Sequence, residues 1–151
     1  KRAAEALLSH GWVVVRGAIG VDEAESLQAA SARSLDALLE LDPRRAGNRG
    51  PRRYSLGSAS RTHHMAHVPE WARLIDSPLI TPILRLVFED DYIAIGGGGD
   101  VVLGDTDTVQ WLHVDLPRWE MYDRMRPPPG IGVNFVVHDI SCTGGPMRLI
   151  P

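Results

Sequence analysis

The spacing of apolar residues changes near Asp91, and that change limits the folds open to this chain more than any other feature. Before it, apolar residues recur at helical intervals. "AAEALLSH" predicts a short helix stopping at Gly11, and Ala24, Leu27, Ala30, Ser31, Leu35, Leu38 and Leu39 predict an amphipathic helix over 22–41. Asp22 followed by Glu25 has the pattern of an N-capping pair. Helical segments are also expected near "PEWARLID" and "PLITPILRLVFE". "GWVVVRGAI" reads as a strand ended by Gly20. After Asp91 come "YIAI", "DVVLG", "TVQWLHV", "IGVNFVVHDI" and "PMRLI", short β-prone runs divided by Gly, Pro and Asp. Helices followed by short strands predict an α+β domain with antiparallel pairing in a sandwich or barrel-like sheet.

Residues 42–60, rich in Pro, Gly, Asn and Arg, are expected to form a long exposed loop. Its arginines (Arg44, Arg45, Arg49, Arg52 and Arg53) suit solvent better than an anion site. With 151 residues, the chain fits one domain or part of one. A net charge of -3 gives no electrostatic reason to expect nucleic acid or an anionic membrane as partner. No apolar run reaches the length of a membrane span. Cys142, the lone cysteine, leaves no internal disulfide and suits a reducing, cytoplasmic setting. The chain starts without Met and stops at "GGPMRLIP", inside what reads as a strand. The expectation is a fragment: a single partial domain over 1–151, helical to about 90 and built of strands from about 91.

In "VQWLHVDLPR" a histidine and an aspartate stand two apart. On a strand, His113 and Asp115 project from one face and can offer a nitrogen and an oxygen to one ion. That is two-thirds of the 2-His-1-carboxylate triad that holds non-haem Fe(II) with open positions for substrate and oxygen. With 6 histidines and 19 acidic residues, chance alone yields about 0.75 such pairs, so the spacing needs support from elsewhere in the chain.

That support is a resemblance spread over three segments in order. "LLSHGWVVVRGAIGVDEAESLQAA", "VQWLHVDLPR" and "NFVVHDISCTGGPMRLIP" resemble the N-terminal and central part of the phytanoyl-CoA dioxygenase-like family of Fe(II)- and 2-oxoglutarate-dependent oxygenases. The first is similar to the family's opening strand and acidic-capped helix, and the second to its Gln-x-x-His-x-Asp strand. The third is similar to its Asn-to-Gly-Pro-x-Arg segment, although "CTGG" replaces the usual x-x-Asn-Gly. The resemblance implies a double-stranded β-helix, a cupin-like jelly roll with N-terminal helices. It implies Fe(II) held by His113 and Asp115, 2-oxoglutarate as co-substrate, O₂, and hydroxylation of a small organic or lipid-like molecule. It makes Asn134 a candidate for a polar contact to 2-oxoglutarate. It places the distal histidine and the 2-oxoglutarate arginine beyond Pro151. Asp115 keeps the carboxylate that related halogenases replace with a small residue, which favours hydroxylation. The competing reading is a degenerate jelly-roll binding module without catalytic iron.

Other histidines weigh less. His138 shares a predicted strand face with Gly132, Asn134 and Val136, but reads first as an ordinary strand-end histidine. His63 and His67 would share a helix face, yet without a Glu between them or Cys partners they read as polar surface residues. A third reading is a cupin-like metal enzyme whose remaining ligands are His138 or the His63/His67 pair. The glycine run over 96–99 reads as a flexible loop, and no helix follows it to make a phosphate cradle. Trp111 shares the predicted face of His113 and Asp115, while Gln110 lies on the opposite one. Arg118 and Arg148 read as structural.

Overall fold

The computed structural model describes residues 1–57, 64–89, 91–104, 106, 109–113, 115 and 127–150. In chain order the elements are α1 (Arg2–His10), α2 (Val21–Leu41), β1 (Arg53–Leu56), α3 (Pro69–Ala72), a 3-10 turn (Arg73–Asp76), α4 (Thr81–Phe88) and β2 (Gly99–Val102). They fall into two compact units that interleave along the chain. One comprises Lys1–Ile19, Ser77–Ile93 and Val109–Pro151, the other Gly20–Asp76 and Ala94–Thr108.

Within the first unit α1 packs on α4, burying Ala4 and Val87. Gly11, left-handed at φ 79°, ends α1, and its N–H donates to the Leu7 carbonyl at 2.9 Å. Glu89 ends α4 in the same conformation, at φ 60°. Phe88 stacks at a tilt on Tyr92, with ring centroids 5.7 Å apart.

In the second unit α2 packs on α3 and buries Leu27 and Ala30. The long amphipathic helix matches its sequence pattern, but its start differs. Gly20, extended at φ -79° and ψ 170°, is the N-cap, and no side chain caps the helix. Asp22 and Glu23 sit instead in the first turn, where their charge opposes the positive end of the helix dipole. At the other end, Arg45 Nη1 donates to the carbonyls of Leu39 at 2.6 Å and Asp42 at 3.0 Å, satisfying acceptors that the last turn leaves open.

The expected loop over 42–60 holds a strand. β1 pairs antiparallel with β2, in register Arg53↔Val102, Tyr54↔Val101, Ser55↔Asp100 and Leu56↔Gly99. Ahead of the strand the chain folds back on itself. Asn48 accepts the Ser55 N–H at 2.7 Å and donates to the Ser55 carbonyl at 3.0 Å, so one amide does the work of a neighbouring strand. Gly47, at φ 74°, lies so close to the carbonyls of Gly50 and Arg53 that a Cβ has no room. Of the five arginines expected in solvent, three serve this structure. Besides Arg45, Arg52 Nε donates to the Gly104 carbonyl at 2.7 Å. Arg53 forms an ion pair with Asp100 at 2.6 Å.

The glycine run also has fixed contacts. Gly97 bridges to His64, and Gly99 opens β2 beneath Trp71, whose ring edge lies 2.7 Å from where a Cβ would stand.

Among the described residues the only sheet is this two-stranded one. "DVVLG" contributes to it. The described parts of "GWVVVRGAI", "YIAI", "VQWLHV", "IGVNFVVHDI" and "PMRLI" lie outside helix and strand. Among the described residues every buried apolar residue falls between Ala4 and Val87, whereas Trp111 is 88% exposed and Ile95 81%. No closed barrel is present among the described residues. The jelly roll therefore stands as an expectation for the later segments. No described helix is long and apolar enough to cross a membrane.

Candidate metal centre

His113 and Asp115 lie in the irregular segment that follows β2. His113 Nε2 is 3.4 Å from Asp115 Oδ1. The imidazole is half-exposed, and the carboxylate is almost fully so. A second contact fixes the ring: His113 Nδ1 lies 2.7 Å from the Trp111 carbonyl. A carbonyl can only accept, so Nδ1 carries the hydrogen, and in the neutral imidazole Nε2 presents its lone pair. Asp115 Oδ1 is the carboxylate oxygen 3.4 Å from that nitrogen. The two atoms are close enough to be offered to one metal ion.

The separation suits a metal ion. Nε2 of His113 and Oδ1 of Asp115 would together hold one ion, which the 3.4 Å between them allows. The donor types, one neutral imidazole and one carboxylate, are those of two corners of the Fe(II) triad.

Gln110 sits differently from its sequence pattern. On a straight strand, positions 110 and 113 face opposite ways, yet Gln110 Nε2 lies 3.1 Å from His113 Nε2. The backbone here is not in a strand, so alternation does not govern which side chains meet. From 38 residues further along, Arg148 Nη2 donates to the Gln110 carbonyl at 3.2 Å. Arg148, expected to be structural, thus ties the segment carrying the pair to the one after the Gly145–Pro146 turn. Spacing offered no sign of the Gln110 contact.

Asn134 and His138 are exposed. His67 is exposed in the second unit, and His64 Nδ1 accepts the Ala66 N–H at 3.1 Å. His63 and Arg118 lie outside the described residues. Among the described residues no group of three or more His, Cys, Asp or Glu side chains gathers around one point. Comparison with known proteins returns no matching family model, curated protein or solved structure.

Proposed function

We propose that this chain carries the proximal part of an Fe(II)- and 2-oxoglutarate-dependent oxygenase centre, with His113 and Asp115 as two of the three protein ligands. The observation that carries the reading is the pair of acceptors, His113 Nε2 and Asp115 Oδ1, at 3.4 Å. The resemblance of three ordered segments to the phytanoyl-CoA dioxygenase-like family supplies the reaction class, the jelly-roll fold and the small organic or lipid-like substrate. When bound, Fe(II) with 2-oxoglutarate and O₂ would supply oxidising power for hydroxylating an unactivated carbon. His113 would bind through Nε2, with its tautomer set by the Trp111 carbonyl. Asp115 would contribute the negative charge that favours a divalent ion. Asn134 is assigned a polar contact to 2-oxoglutarate. In this reading the third ligand and the 2-oxoglutarate arginine follow Pro151.

The test is anaerobic Fe(II) binding, followed by calorimetry, to the chain and to its His113→Ala and Asp115→Ala variants. Binding that either substitution abolishes supports the centre. Binding indifferent to both would sink it, and absence of binding would favour the iron-free module. Added 2-oxoglutarate should give no visible charge-transfer band with these 151 residues. A clear band would overturn the assignment of the remaining ligands to positions after Pro151.

A further inference from the structure

We infer that Gln110 is an internal place-holder for the metal: its carboxamide caps the His113 lone pair that the ion must use. The inference rests on the proposed centre and adds a residue to it.

The atoms leave little choice of roles. Because the Trp111 carbonyl takes the Nδ1 hydrogen at 2.7 Å, Nε2 of the neutral ring can only accept. The Gln110 amide nitrogen, 3.1 Å away, is a donor that satisfies it. The cap therefore occupies the atom that lies 3.4 Å from Asp115 Oδ1. A metal ion and the Gln110 N–H compete for one lone pair, and metal entry requires the carboxamide to turn away.

The segment is arranged to keep the cap in reach. Arg148 holds the Gln110 carbonyl at 3.2 Å, so the backbone of residue 110 is tethered while its side chain stays at the exposed surface. Gln110 is thus a positioning residue acting on a ligand. It sets the preferred state of the metal-free site and lowers the apparent affinity of the ion.

The experiment measures Co(II), a spectroscopic substitute for Fe(II), binding to the 151-residue chain and to Gln110→Ala, Gln110→Asn and His113→Ala. The histidine side-chain ¹⁵N spectrum of each metal-free protein is recorded alongside. Removing one modest hydrogen bond that opposes binding should tighten Co(II) by roughly two- to ten-fold in both Gln110 variants. The His113 Nε2 resonance should move toward that of an uncapped nitrogen in both. Affinity that is unchanged or weaker in the Gln110 variants, with His113→Ala still abolishing binding, overturns the place-holder and leaves the centre intact. No Co(II) binding by any variant overturns the centre and the competition together. An unmoved Nε2 resonance overturns the cap whatever the metal does.

Discussion

The Tyr54 hydroxyl donates to Asp42 Oδ2 at 2.7 Å, and the same oxygen accepts the Gly47 N–H at 2.9 Å. One carboxylate thereby ties the end of α2 to the turn and to β1. The tyrosine bond, and then the Gly47 bond, hold the Asp42 carboxyl below its usual value of 3.8. Burial, and then the bond to Asp42, push the Tyr54 phenol above its usual 10.0. Just below pH 3.8 the unfolded chain binds more protons at Asp42 than the folded one, so stability should fall as pH drops through the lowered folded value. Above pH 10.0 the folded chain keeps the Tyr54 proton longer, so stability should fall again as pH climbs toward the raised folded value. Urea unfolding across pH should show both limbs, and Asp42→Asn should flatten the acid one. An acid limb unaltered in Asp42→Asn would show that other carboxylates govern it.

Gly47 makes a sharper test of the same turn. A Cβ there would stand 2.5 Å from the Arg53 carbonyl, closer still to that of Gly50, and on a left-handed backbone. Gly47→Ala should cost about 1–3 kcal/mol in denaturant unfolding. Gly132 has open space where its Cβ would stand, and Gly132→Ala should stay within about 0.5 kcal/mol. Equal effects at the two positions would mean that the 42–56 turn contributes little to the cooperative fold.

Glu89 gives a prediction of opposite sign. It closes α4 at φ 60°, with its N–H donating to the Arg85 carbonyl at 3.0 Å, in a conformation that penalises any Cβ. Glu89→Gly should therefore raise stability by about 0.5–1 kcal/mol, the relief exceeding the added freedom of the unfolded chain. A lower denaturation midpoint in the variant would show that the Glu89 side chain contributes more than its backbone costs.

These relationships mark what the residue pattern could reveal. The Leu27, Ala30, Leu38 spacing of α2 is a local property, and the helix follows it to within a residue. β1 was hidden because its partners are not local. Its register comes from β2 more than forty residues on and from the Asn48 side chain, neither visible in a window rich in Gly, Pro and Arg. The same non-locality turned Arg52 and Arg53 from expected solvated charges into ties to the Gly104 carbonyl and to Asp100. At the candidate centre, the two-residue spacing of His113 and Asp115 was legible as a pair of donors. The tautomer and the Gln110 cap were not, because both depend on where an irregular backbone puts the Trp111 carbonyl and the residue 110 side chain.

Arg148 supplies the remaining prediction, since its hydrogen bond is a long-range tie at the Gln110 backbone. The guanidinium is exposed, so the bond adds little to global stability. Its effect should be local, on the opening of the segment that carries His113. Arg148→Ala should speed amide hydrogen exchange over residues 110–113 by several-fold while the denaturation midpoint moves by less than about 1 kcal/mol equivalent. Arg148→Lys, which keeps a donor on a flexible stem, should fall between the two. Exchange rates unchanged in Arg148→Ala would show that the segment is held by its own contacts, and the metal affinity of His113 and Asp115 should then be indifferent to residue 148.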